Sequence, residues 1–283
     1  MDFVKLTQEQ RDTFERDGFL IVRNALTPER LEAVREATDR IAGPFLGKPI
    51  IPSKPEYNHM DWRPGLLREK ALVDLVTNSP TVPYVVQFLT PNIHLHSTTA
   101  IYKKPSDPNG PAFRRGWHRD IRIPKDLGHL ELPRVGIKIC YCLTDFHEPC
   151  SGMTLLTRGT HTRKAPLVIP KGEVDPKGIE LCDLQLNAGD AFLFENRLYH
   201  TATPNRSNRT SKVLMYGYAY RWMKQEVELA EPDSRLAQSD PVLWQLLGGY
   251  RDIDTVPWAL TNWAERNGVM PPPVPWMVEE ADA

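Results

Sequence analysis

Between residues 92 and 222 the chain breaks into short apolar and β-branched runs, and this pattern restricts the fold more than any other feature. The runs lie near 93–102, 135–143, 152–156, 165–169, 179–186, 191–195 and 212–222. Gly, Pro, Asn and Asp punctuate the gaps, as in Pro105-Ser-Asp-Pro-Asn-Gly-Pro111 and Asn187-Ala-Gly-Asp190. Short runs of this composition, bounded by turn formers, read as strands. No helix-length periodic segment separates them, which disfavours a doubly wound parallel sheet. The expectation is a mainly β fold with flanking helices, a double-stranded β-helix of the jelly-roll or cupin-like kind.

The flanks read as helical decoration. Thr7 with Gln10 three residues later forms a capping box, and Gly18 ends that helix. Phe19-Leu20-Ile21-Val22 is a buried strand. Thr27 caps a second helix with Pro28 at its first position; Leu31, Val34, Ala37 and Ile41 mark one face, and Gly43-Pro44 stops it. Further short helices are expected around 67–78, 82–89, 242–247 and 257–263, and the tail Pro271-Pro-Pro-Val-Pro-Trp-Met277 drapes over the surface or a neighbour. With no internal repeat, residues 1–283 form a single domain: helical decoration at 1–90, the jelly-roll core at 91–225, and C-terminal helices with a Pro-rich tail at 226–283.

Charge narrows the function. Lys and Arg number 35 against 36 acidic residues, so no global positive field exists to hold nucleic acid or an anionic membrane. No apolar stretch is long enough to cross a bilayer, and the polar start lacks a secretory signal. Four cysteines in 283 residues make no disulfide framework. A cytoplasmic protein acting on a small molecule is the expectation; monomer and homodimer both stay open.

The chemistry begins at Trp117-His-Arg-Asp120. On an extended strand residues i and i+2 share a face, so His118 and Asp120 can approach one ion together. A third ligand must come from elsewhere, and His200, after the strand Ala191-Phe-Leu-Phe-Glu195, is the best placed. Two histidines and one carboxylate on one side of an ion suit non-haem iron(II), because three positions stay open. Zinc accepts the same ligands, so the donors alone do not choose the metal.

Taken in order, several segments resemble the phytanoyl-CoA dioxygenase-like family of iron(II)/2-oxoglutarate oxygenases. They are Phe14-Glu-Arg-Asp-Gly-Phe-Leu-Ile-Val22, Trp117-His-Arg-Asp120, Leu143-Thr-Asp145, Ser151-Gly-Met-Thr154 leading to Arg158-Gly-Thr-His161, Ala188-Gly-Asp190 and His200-Thr-Ala-Thr-Pro-Asn205. The resemblance implies His118, Asp120 and His200 as metal ligands and catalytic residues, with Fe(II), 2-oxoglutarate and O2 as cofactor and cosubstrates. It also implies a basic side chain for the far carboxylate of 2-oxoglutarate. A guanidinium serves this well because its planar fork meets both oxygens. Arg209 at the entry to the strand 210–222 is the expected residue, with Ser211 beside it and Lys212 in reserve. Here the chain departs from the pattern: many relatives place the key arginine two residues later, where this sequence has Ser211.

The resemblance further implies hydrogen abstraction from a C–H bond, leading to hydroxylation or a redirected outcome such as epimerisation, cyclisation, desaturation or endoperoxidation. Asp120 leaves no room for the halide of family halogenases. A natural-product tailoring enzyme, as in antibiotic biosynthesis, is favoured over an acyl-CoA hydroxylase, since the only basic patch is that around Arg114–Lys125. A cupin-like metal-binding jelly roll that does not use 2-oxoglutarate is the reading from another class.

Other residues have two readings each. Trp117 and Arg122 could bind substrate, or belong to core and solvated rim. His94 and His96 share a strand face but lack a matching carboxylate, so pocket lining or a hydrogen-bonded core role is expected. His161 stabilises a turn. Cys140 and Cys142 are buried small hydrophobes. Tyr216, Tyr218 and Tyr220 alternate as sheet packing.

Overall fold

A computed structural model describes residues 1–46, 59–106, 116–120, 132–226, 235–249 and 259–271. Helix α1 (Gln8–Asp17) starts from the capping box: Thr7 Oγ1 accepts from Gln10 N, and the Gln10 side chain accepts from Thr7 N. Gly18 closes it at φ 82°, where an added Cβ would meet the His161 ring. His161 thereby packs under the helix end, with Nε2 3.0 Å from Glu15 O. Strand β1 (Phe19–Val22) follows, then α2 (Pro28–Ala42), capped by Thr27.

The remaining strands are β2 (His59–Trp62), β3 (Ile93–Lys103), β4 (Gly136–Cys142), β5 (Thr154–Thr157), β6 (Leu181–Asp183), β7 (Ala191–Glu195), β8 (His200–Ala202) and β9 (Ser211–Tyr220). Short helices α3 (Lys70–Val73) and α4 (Val82–Phe88) precede β3, while α5 (Leu236–Ser239), α6 (Pro241–Leu246) and α7 (Ala259–Arg266) follow β9. The strands form a six-stranded sheet in the order β1-β7-β4-β9-β3-β2 and a three-stranded sheet in the order β6-β5-β8. Among the described residues every pairing of these strands is antiparallel. The two sheets form the mainly β jelly roll that the strand pattern predicts.

Strand alternation divides the apolar residues into two layers. Cys140, Cys142, Phe192, Phe194, Val213 and Met215 join Phe146, Met153, Leu156 and Leu198 in a buried cluster between the sheets. The opposite face of the large sheet sends Ile139, Tyr141, Leu193, Leu214, Tyr216 and Tyr218 against the helices. Tyr216 and Tyr218 donate to Leu72 O at 2.7 Å and Val76 O at 3.0 Å, which satisfies hydroxyls that would otherwise be stranded among hydrocarbon. Both tyrosines are packing residues, and the two cysteines are buried thiols whose pKa burial pushes upward.

Three details differ from the sequence expectation. Residues 165–169 form no strand: Pro166 and Pro170 withhold ladder N–H groups, and Val168 and Ile169 stay exposed. Strand β2, an edge strand with polar His59 and Asp61 in its four residues, pairs with β3 although nothing in its pattern announces a strand. Strand β8 is only three residues long and begins with His200. The Pro-rich tail from residue 272 onward lies outside the described residues.

Candidate metal centre

His118 reaches the site through an isolated antiparallel bridge to His200. The two residues exchange backbone hydrogen bonds, His118 N to His200 O at 3.1 Å and His200 N to His118 O at 3.0 Å. This pairing adds the His118 segment to the edge of β8 and brings two residues 82 positions apart in sequence ring to ring, with centroids 4.3 Å apart. Asp120 follows two residues after His118. His118, Asp120 and His200 each offer a ligand atom, all within 4.8 Å of one another, and they are the group of three metal-binding side chains found among the described residues.

Hydrogen bonding orients both imidazoles. His118 Nδ1 lies 2.7 Å from Gly116 O, and His200 Nδ1 lies 2.9 Å from Leu198 O. A ring nitrogen beside a carbonyl carries the proton, so each Nε2 keeps its lone pair for a metal. Those Nε2 atoms sit 3.8 Å and 3.6 Å from the two Asp120 carboxylate oxygens. Phe194 supports the arrangement from below, its ring centroid 4.7 Å from that of His200.

Burial favours neutral forms here, and it is the largest effect on both His200 and Asp120. It brings the His200 pKa down to about 4, partly opposed by Asp120. For Asp120 burial acts upward, but His200, Lys138 and His118 together outweigh it and hold the carboxyl below its usual range. Lys138 Nζ approaches Asp120 Oδ2 to 2.9 Å, an ion pair whose geometry makes no directed hydrogen bond. An ionised carboxylate and two neutral imidazoles are the protonation states that a divalent ion requires.

Beside the triad lies a small open pocket lined by His96, Ser97, Asp120, Lys138, Asn196 and Glu226, among others. Gly217 keeps it open, since a Cβ there would meet Ser97 Oγ at 2.5 Å. His94 and His96 are buried near this wall, where desolvation lowers both pKa values, that of His94 to about 4. Lys138 and His96 thus border the metal centre. The strand alternation of 135–143 could have indicated Lys138, as a lone charge on a face otherwise made of cysteines.

The other expected residues are placed differently. Trp117 is half-buried, with its indole N–H donating to Val174 O at 3.1 Å. Arg122 lies outside the described residues. Arg209 is not brought to the triad: it sits in an exposed turn, donating to Asp145 O at 2.9 Å and lying 3.7 Å from the Asp145 carboxylate. Its segment is not yet strand at that point, so it turns outward. Lys212 points to the helix side and pairs with Asp39 at 2.7 Å. Ser211 is buried at the first position of β9.

A model of the phytanoyl-CoA dioxygenase family matches residues 14–213, a span that runs from the last turn of α1 to the start of β9 and includes His118, Asp120 and His200. The chain belongs to the phytanoyl-CoA dioxygenase family. Ectoine dioxygenase of Nocardia farcinica (strain IFM 10152) is 28% identical to this family member over 166 residues, 56% of this chain and 53% of that protein. The match thus spans about half the length of the curated relative. HygX from Streptomyces hygroscopicus, solved with nickel and 2-oxoglutarate bound, superposes with a TM-score of 0.62 at 17% identity, covering 82% of this chain and 94% of that one. SnoK, a non-heme alpha ketoglutarate dependent carbocyclase from nogalamycin biosynthesis, does so with a TM-score of 0.58 at 16% identity, covering 77% and 85%. At these identities the likeness is one of fold. Among the described residues no helix is long and apolar enough to cross a membrane.

Proposed function

We propose that this chain is an iron(II)/2-oxoglutarate-dependent oxygenase that takes a hydrogen atom from a C–H bond of a polar small molecule in natural-product biosynthesis. The observation that carries the reading is the convergence of His118 Nε2, His200 Nε2 and an Asp120 oxygen on one point, with each Nδ1 already satisfied. Two imidazoles and one carboxylate fit iron(II) and leave one side of the ion free for cosubstrate and oxygen. When bound, iron with 2-oxoglutarate and oxygen supplies an oxidant strong enough to attack an unactivated C–H bond. The chain's own residues hold and screen it: the bridge to β8 fixes His118, Leu198 O fixes His200, and the buried Phe194 packs dry hydrocarbon behind the ligands.

The polar wall of His96, Ser97, Lys138, Asn196 and Glu226 supports a hydrophilic substrate over a fatty acyl chain. Relatives support the same class: ectoine dioxygenase, HygX solved with hygromycin B, and the nogalamycin-pathway enzymes SnoK and SnoN. Cyclisation and epimerisation, named for SnoK and SnoN, stand beside hydroxylation as outcomes for this site.

The test is to supply iron(II), 2-oxoglutarate and oxygen and to follow succinate in wild type and His118→Ala. Wild type should form succinate, at a rate increased by the right substrate, and the variant should lose at least 100-fold. Equal succinate from both proteins would refute the reading.

A further inference from the structure

The interior face of the large sheet carries a lysine that the metal centre does not use. Strands β3 and β9 pair with Lys103 opposite Ser211. Alternation places Lys103 on the face of Ile101, which packs into the cluster between the sheets with Val213 and Met215. Lys103 is buried, and its ammonium donates to Gly152 O at 2.6 Å and Thr203 O at 3.2 Å. Among the described residues no ion pair reaches it; Asp183 on β6 is the acid that acts on it from farther away. Two carbonyls are dipoles rather than counter-charges, so among the described residues this cation has no ion-pair partner. Among the described residues two acceptors meet its three N–H donors.

The position matters as much as the charge. Thr203 lies three residues beyond His200, just past the end of β8, a backbone rise of about 10 Å at the ~3.3 Å per residue of extended chain. That is the scale of a five-carbon diacid extended from a metal at His200. The two basic side chains nearest the start of β9 are committed elsewhere, Arg209 to Asp145 and Lys212 to Asp39.

We propose that Lys103 holds the far carboxylate of 2-oxoglutarate, doing from β3 what relatives do with an arginine at the position of Ser211 on β9. The assignment rests on the function proposed above. Across one antiparallel pair the two positions face the same space, so a long basic side chain is needed from one strand and a small residue from the other. Ser211 meets that need: it is so close to Gly152 that a Cβ on the glycine would collide with its Oγ. The charge has crossed the ladder. Burial, which lowers the Lys103 pKa to about 7, is the expected state of an ammonium whose carboxylate partner arrives with the cosubstrate.

The experiment uses the full chain loaded with iron(II) under anaerobic conditions and reads the charge-transfer absorbance that a 2-oxo acid gives on chelating iron. Two ligands are titrated, 2-oxoglutarate and 2-oxopentanoate, which lacks the far carboxylate. Wild type should prefer the diacid by at least 30-fold. Lys103→Met should bring the two affinities within threefold while metal affinity is kept, and Lys103→Ser combined with Ser211→Arg should restore a preference of tenfold or more. Arg209→Ala, at an exposed position, should keep the wild-type preference. A preference that survives Lys103→Met, or is lost in Arg209→Ala, overturns this assignment alone. Absence of any charge-transfer band in wild type overturns the proposed function and this assignment with it.

Discussion

Lys138 Nζ stands 2.9 Å from Asp120 Oδ2, so the carboxylate of the triad is paired with a protein cation before it meets a metal. The pair keeps Asp120 ionised, yet a divalent ion on the same carboxylate meets a like charge across a few ångströms. At an effective dielectric near 20 such repulsion is worth at least ~1 kcal/mol even after partial screening. Lys138→Met is therefore expected to bind manganese(II), as a redox-quiet stand-in for iron, about fivefold more tightly in a competition titration with a chelator. Weaker binding would mean that Lys138 is needed to aim the carboxylate.

The centre also depends on hydrocarbon. Phe194 is fully buried, its ring 4.7 Å from His200 and 6.0 Å from Phe192. Phe194→Ala removes that support and leaves a void, a change that costs about 3–5 kcal/mol in comparable cores. Urea unfolding of the metal-free protein should show this loss. The folded fraction should also bind manganese(II) more weakly, because His200 gains freedom at its ring. An unchanged metal affinity would separate the packing from the site.

Gly152 tests the neighbourhood of Lys103 from the backbone side. Its φ of 93° is one that residues with a Cβ rarely adopt, and its carbonyl accepts from the Lys103 ammonium. Gly152→Ala should cost about 2–3 kcal/mol, part from backbone strain and part from the clash with Ser211. Adding Ser211→Ala removes the contact with Oγ but leaves the backbone strain and two Cβ contacts at 3.2 Å, so about a third of the loss should return in denaturant melts. Complete recovery would show that the backbone relaxes freely.

How much of this was legible in the sequence follows from the range of each signal. Thr7 with Gln10, Thr27 with Pro28 and the His118/Asp120 spacing are local, and local geometry is enough to read them. The β-run pattern anticipates both sheets because alternation and turn residues act over a few positions. Lys103 was illegible for the opposite reason. Its meaning lies in register: only the pairing with Ser211 shows that a missing guanidinium on one strand is matched by an ammonium on the next. Arg209 drew attention because it is near His200 in sequence, but the strand begins two residues later and the turn sends the side chain to Asp145.

The buried ammonium also predicts a pH dependence with a definite sign. In the protein without cosubstrate the Lys103 pKa is lowered to about 7 by burial, with Asp183 as the charged group among the described residues that opposes the shift. Only the protonated form attracts a carboxylate, and pairing raises the pKa again. Binding of 2-oxoglutarate therefore takes up a proton above pH 7, and affinity should fall by up to about tenfold per pH unit there, with a plateau below. Stability without the cosubstrate runs the other way. The unfolded chain holds this proton to about 10.5, so between pH 7 and that value the unfolded state binds more protons and the native state gains stability as pH rises. Lys103→Arg keeps its charge throughout, so its affinity should be flat from pH 6.5 to 9 by these arguments. Calorimetric titration of the manganese(II)-loaded protein in buffers of different ionisation enthalpy measures the proton directly. Uptake should approach one proton near pH 8.5 in wild type and zero in Lys103→Arg, and equal uptake in both would show that Lys103 does not titrate with the ligand.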